Sequence, residues 1–121
     1  MGMRDFEKEM RKTKEEWAKK KKGMEMVKVE WKRGGDDGKY EGQVKDQQPH
    51  GLGKWEKDGG DWVVEGEWQE GELHGRGIES FSNGGQAEYE AKDGKIDGKF
   101  LGYFQTGHLY CEYKKGKQHG R

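Results

Sequence analysis

From about residue 38 onward, apolar and polar positions alternate every second residue in short segments punctuated by glycine. One parity carries Tyr40, Gly42 and Val44, then Val64, Gly66 and Trp68, then Ala87, Tyr89 and Ala91, then Leu109, Cys111 and Tyr113. The other carries Glu41, then Glu65 and Glu67, then Glu88 and Glu90, then Glu112. A period of two is the mark of strands. The segments that follow each turn hold Trp55, Phe81, Phe100 and Phe104, interleaved with Lys54 and Lys99, which places lysines beside the glutamates across the ladder and offsets their mutual repulsion. The pattern predicts a sheet with one aromatic face and one acidic, solvated face.

The spacing is regular. His50-Gly51, His74-Gly75, Asp97-Gly98 and His119-Gly120 recur at intervals of 24, 23 and 22 residues, and the column Gly42, Gly66, Tyr89, Cys111 recurs at the same intervals. The two columns stay nine residues apart within each unit, with turn signals between them at Gln47, Gly71, Gly94 and Gly116. A constant interval marks a paired hairpin whose register must hold, and the variable stretches KDGGD, SNGGQ and QTG mark loops. Val27, Val29 and Trp31 read as the return strand of an incomplete first unit. At the other end the pattern reaches HGR where another return strand is due, so an open edge is expected there, available for edge-to-edge pairing.

The first 23 residues have a different period. Met3, Phe6, Met10, Thr13 and Trp17 fall at alternating spacings of three and four, a narrow stripe on an otherwise charged helix of roughly 18 residues. Gly23 suits its C-terminal stop, and Lys19, Lys20, Lys21 and Lys22 suit the negative end of the helix dipole. Three roles are open to the stripe: packing on the chain's own ribbon, docking on a protein partner through Phe6, Met10 and Trp17, or lying on a membrane surface through the lysines. The organisation expected is an amphipathic helix over 1–23 and an array over 24–121 of about three full units plus partial ones, with about seven or eight short strands in one elongated antiparallel meander. A single sheet leaves faces to cover, so its aromatic side is expected beneath the helix, a partner or both.

Composition narrows the classes of function. Apolar residues make up 28% of the 121 and charged residues 40%, with mean hydropathy −1.42, values near those of disordered chains; five Trp, five Tyr, four Phe and a single Pro argue for folding instead. Formal charge is zero, which disfavours non-specific nucleic-acid binding. The charge is divided: residues 1–33 hold 12 Lys/Arg against 7 Asp/Glu, or +5, and the remainder is −5. Cys111 alone excludes an internal disulfide and suits a reducing compartment. With no apolar signal core and no membrane-length apolar run, a cytoplasmic location is expected.

Candidate chemistry is thin. HGLG and HGRG lack the following helix and Lys-Ser/Thr of a phosphate loop, so their glycines read as backbone devices. His50, His74 and His119 occupy equivalent places two strands apart, roughly 9–10 Å at about 4.8 Å per strand, too far to share a metal ion. The glutamates follow the repeat as a solvated face does. No catalytic residue, cofactor or metal is expected, and the chain reads as a non-enzyme.

The stretches YEGQVKDQQPHGLG and VEGEWQEGELHGRG resemble the MORN repeat, whose pattern is roughly Tyr-x-Gly, a turn Gly, then His-Gly-x-Gly; the likeness extends over about 27–121. In the third unit Tyr89, Asp97 and Phe100 depart from the pattern, as Cys111 does in the fourth. The resemblance implies a binding or scaffolding module of the kind found in axonemal radial spokes, cytoskeletal collars and membrane junctions. The expected function is a structural subunit, in the cytoplasm, cytoskeleton or cilium, that grips a helix or extended peptide along its groove through Trp55, Trp68, Phe81, Tyr89 and Phe104. The alternative is a peripheral module binding anionic lipid through Lys19–Lys22; neutrality and the acidic face weigh against it.

Overall fold

The computed structural model describes residues 3–105, 107–115 and 117–119, with the side chains of 8–105, 107, 109 and 111–115. Helix α1 (Met3–Lys21) is followed by β1 (Val27–Glu30), β2 (Gly38–Lys45), β3 (Gln48–Lys57), β4 (Trp62–Gln69), β5 (Glu72–Phe81), β6 (Gln86–Lys92), β7 (Lys95–Phe104), β8 (Gly107–Lys114) and β9 (Lys117–His119). Among the described residues these nine strands form one open sheet, each pairing antiparallel with the next in chain order. With β1 and β9, the strands of the partial units at the two ends, the described strands number nine where about seven or eight were expected.

Within a unit the strands are joined by two-residue turns. Asp46-Gln47, Glu70-Gly71 and Asp93-Gly94 all have positive φ at both positions, the type I′ geometry whose twist matches that of the strands it joins. Gly116, the fourth turn signal, lies outside the described residues. Successive turns are stitched together: Gly71 N donates to Pro49 O at 2.9 Å and Gly94 N to Leu73 O at 2.9 Å.

The His-Gly pairs create a bulge. The β2–β3 register slips between Gly42 and Val44, with equivalent slips between Gly66 and Trp68 and between Tyr89 and Ala91. The second residue of each pair takes a positive φ there, 97° at Gly51, 122° at Gly75 and 116° at Gly98, which a side chain resists. A side-chain acceptor then replaces the missing ladder partner. Gln43 Oε1 accepts from Leu52 N at 2.9 Å, Glu67 Oε1 from Arg76 N at 2.7 Å and Glu90 Oε1 from Lys99 N at 3.1 Å, each across nine residues. The histidines bridge to the next hairpin's turn: His50 Nδ1 accepts from Glu70 N at 3.5 Å and His74 Nδ1 from Asp93 N at 3.3 Å.

Gly42, Gly53, Gly66 and Gly77 lie in one cross-strand row. Their missing side chains leave room for the Tyr40 ring over Gly53, where any Cβ would overlap it, and for Leu73 over Gly66. The Tyr40 hydroxyl donates to Gln43 O at 2.6 Å. The same row continues through Tyr89, Phe100 and Cys111, so the floor changes from glycine to aromatic while the pairing stays intact. Tyr89 and Phe100 stack with centroids 6.1 Å apart.

The larger core, Tyr40, Trp55, Val64, Trp68, Leu73, Ala87, Tyr89 and Ala91, occupies this glycine and aromatic face. The smaller lies on the reverse face, where Met10 and Trp17 of α1 pack on Leu52 and Ile78, flanked by Leu101 and Tyr103. This corrects the expectation that the helix covers the aromatic side: it packs on the chain's own ribbon, on the glutamate face. The reason is in the register. Glu41, Lys54, Glu65, Ile78, Glu88 and Leu101 form one row, so the return strands bring apolar side chains among the acids and give α1 a place to dock. Lys54 does sit between Glu41 and Glu65, and Lys99 opposite Glu112, as the charge pattern predicts.

Candidate docking surface

The residues singled out from the sequence divide into three environments. Trp55, Trp68 and Tyr89 are inside the larger core, at 0%, 3% and 2% exposure. Met10 and Trp17 are buried beneath α1, and the side chain of Phe6 lies outside the described residues. Phe81 and Phe104 end β5 and β7 at equivalent places in successive units; Phe81 is exposed and Phe104 half-buried.

The core aromatics are sealed by the segment between β1 and β2. Trp31 Nε1 donates to Gly71 O at 3.2 Å, Trp55 Nε1 donates to Trp31 O at 2.8 Å, and the Arg33 guanidinium lies over the rings of Trp55, Trp62 and Trp68. Trp62 Nε1 donates to Glu79 Oε1 at 2.6 Å. Burial, then the adjacent Glu79 carboxylate, holds the Tyr89 phenol well above its usual range, with Arg33 opposing. Trp31, Arg33, Trp62 and Glu79 were not among the residues expected at the site. The alternation of Val27, Val29 and Trp31 does point the last of them to the core face, whereas nothing in the local pattern marks Arg33.

Beyond this seal the aromatic face opens. Phe81 stacks on Trp62 with centroids 6.4 Å apart and planes 12° apart, the Phe104 ring lies against Gly85 and Gly102, and Leu109 sits opposite Gly102, 42% exposed. Exposed rings on an apolar face are suited to grip an apolar partner side chain.

On the reverse face the helix contact has a polar centre. The Thr13 hydroxyl donates to Glu88 Oε1 at 2.5 Å and accepts from Arg76 Nη1 at 3.2 Å, and Lys21 Nζ contacts Glu65 Oε2 at 2.5 Å. Glu88 Oε2 is buried with no hydrogen-bond partner. Burial raises the Glu88 carboxyl above its ordinary value; the Thr13 bond and Arg76 oppose this, and Glu9 and Glu16 of α1 reinforce it. Because the folded value is the raised one, this site's stability is fully present below the unfolded carboxylate range and is lost as pH rises through the folded value. Glu88→Gln is therefore expected to match wild type in acid and to equal or exceed its urea midpoint at about pH 7, with a flatter profile between. A variant less stable at neutral pH than in acid, relative to wild type, contradicts this.

Lys19, Lys20 and Lys22 are exposed at the end of α1. No helix among the described residues is long and apolar enough to cross a membrane, and no group of His, Cys, Asp and Glu among them is arranged to hold a metal ion.

The sequence model of the MORN repeat matches residues 40–62 and 65–86, the β2–β3 and β4–β5 hairpins with their loops. Among curated proteins none matches the chain. MORN repeats are generally associated with protein or membrane binding, and the family is typically non-catalytic. The matched hairpins open on Tyr40-Glu41-Gly42 and on Val64-Glu65-Gly66, and each has a I′ turn and a His-Gly bulge, so the chain carries MORN repeats over residues 40–62 and 65–86.

Proposed function

We propose that the chain is a non-catalytic structural subunit that docks a protein partner on the open part of its aromatic face, within a larger assembly of the cytoskeletal or axonemal kind. The observation that carries this reading is the exposure of both Phe81 and Leu109 on a face whose other half is closed by Trp31 and Arg33. Phe104 lies along the same edge, and a helix or extended peptide laid across it meets rings from successive hairpins. Trp55, Trp68 and Tyr89 support that surface from below, and Met10 and Trp17 act by holding α1 on the opposite side. The described part of the C-terminal edge, β9, offers a further place for strand pairing.

The double variant Phe81→Ser/Phe104→Ser is expected to lose the partner that the tagged full-length chain recovers from the cells that express it. The weakening expected is about thirtyfold or more in Kd, the scale of an interface hot spot of about 2 kcal/mol. Its circular dichroism is expected to match wild type; undiminished recovery by the folded double variant sinks the reading.

A second reading has one observation in its favour, the exposed Lys19, Lys20 and Lys22 at the end of α1. Salt-sensitive flotation of the purified chain with anionic vesicles, abolished by Lys→Gln changes at those positions, is the result that favours lipid over protein.

A further inference from the structure

The segment joining β1 to β2 turns at Gly34 and Gly35, with φ of 60° and 91°, and Arg33 and Asp36 exchange backbone hydrogen bonds of 2.9 and 3.0 Å across the turn. Lys32, Gly34, Gly35 and Asp37 are exposed. The Arg33 side chain points the other way. Its guanidinium carbon lies 5.0 Å from the centroid of Trp62, 5.6 Å from Trp55 and 6.0 Å from Trp68. The Tyr89 hydroxyl faces the same group, and the Glu79 carboxylate beside it accepts from the Trp62 indole N–H and interacts with the Tyr89 phenol. Three indole rings and a phenol around one cation form an aromatic cage, the arrangement that attracts a cation through the ring quadrupoles.

Filling space does not explain the charge. A Met or Leu side chain packs against three indoles without desolvating a cation, and buried charge is costly unless it is compensated. The opening beside the cage also has a sign. A groove of about 540 Å³ runs from Arg33 and Trp62 along Asp36, Glu70, Glu72 and Asp93, with Lys32 and Lys95 also on its wall, so that once Arg33 is displaced an incoming cation meets four carboxylates against two ammonium groups. The planar guanidinium packs on indole faces better than a compact ammonium does.

We propose that this cage is an arginine-binding site which the chain's own Arg33 occupies, and that a protein partner inserts an arginine from an extended segment in its place when the 31–37 segment lifts. The proposal rests on the reading of the ribbon as a protein-docking surface and specifies the chemistry of one contact. Arg33 then acts as a built-in competitor: apparent affinity for the incoming arginine is reduced by the fraction of molecules in which the cage is vacant.

The test uses the full chain and a small probe, N-acetylarginine methylamide, read by the indole N–H signals of Trp55, Trp62 and Trp68 in proton–nitrogen spectra. The Arg33→Ala variant is expected to bind the probe saturably and about tenfold or more tighter than wild type, with little response to the uncharged citrulline analogue. Should Arg33→Ala not fold, Arg33→Met and wild type at high probe concentration replace it, and the same three indole signals are expected to move toward one endpoint. Indoles that do not respond in any folded form, or respond equally to citrulline, overturn the proposal and leave Arg33 a packing element. A stronger response to the trimethyllysine analogue overturns the assignment of a guanidinium. Loss of partner recovery in Phe81→Ser/Phe104→Ser without any indole response sinks the cage alone, whereas a cage response with undiminished recovery by that variant sinks the docking edge alone.

Discussion

Trp55→Ala is expected to lower folding stability by about 3–5 kcal/mol, the range for removing a large buried aromatic side chain. Trp55 is 0% exposed, stands opposite Tyr40 on one side and Val64 on the other, and meets the Trp62 ring edge-on at 5.1 Å. Its indole N–H donates to Trp31 O, so the substitution also leaves that carbonyl without its partner and loosens the segment that carries Arg33. Against a total of about 5–15 kcal/mol for an ordinary domain, this loss brings the sheet close to its unfolding midpoint. Urea unfolding measures it, as a fall in the midpoint at similar slope. Phe81→Ala is the control: that ring is 36% exposed, and its loss is expected to cost under about 1 kcal/mol. If Phe81→Ala proves the more damaging of the two, the core has been assigned to the wrong residues.

The repeat could be read from spacing because hairpin register is a counting problem. Two columns nine residues apart, shifting together, require paired strands with a turn of fixed length, and Gln47, Gly71 and Gly94 fall in those turns. What spacing did not show is why nine. The bulge at Gly51, Gly75 and Gly98 breaks the ladder, and Gln43, Glu67 and Glu90 repair it from nine residues upstream, so part of what reads as an acidic column is a set of structural acceptors. A carboxylate that caps a backbone N–H has the same letter as one facing water. The side of the sheet on which α1 docks was hidden for a related reason. Leu52, Ile78 and Leu101 share parity with Lys54 and Lys99, and as single apolar letters among charges they carry little weight until the register aligns them beneath one helix.

Arg33 illustrates a limit of another kind. It lies in a charged stretch, and its approach to Trp55, Trp62 and Trp68 comes from residues 22 to 35 positions downstream brought together by three strand pairings. No local period encodes such a contact. The same pairings explain why the ring-rich face is divided: Trp31 and Arg33 close it over Trp55, Trp62 and Trp68, while Phe81 at the end of β5 and Leu109 in β8 stay exposed.

Trp17→Ala is expected to release α1 while leaving the sheet folded. Trp17 is 3% exposed and, with Met10, supplies the apolar contact with Leu52 and Ile78; losing it is expected to cost about 3–5 kcal/mol, more than the surrounding polar contacts restore. The Lys21–Glu65 pair is about a quarter exposed at both ends and is worth at most about 1 kcal/mol at such a site. A free helix of 19 residues is marginal in water, so undocking is expected to appear as a fall in helical ellipticity and faster amide exchange from Met10 to Trp17. Exchange in β2 to β7 is expected to stay slow, since their pairing and the Tyr40, Trp55 and Trp68 core lie on the other face. Partner recovery then distinguishes two roles for the helix. If it survives α1 release, the partner sits on the aromatic edge and the helix is a cover for the reverse face; if the sheet unfolds with the helix, the two faces are one cooperative unit and the helix belongs to the core of the fold.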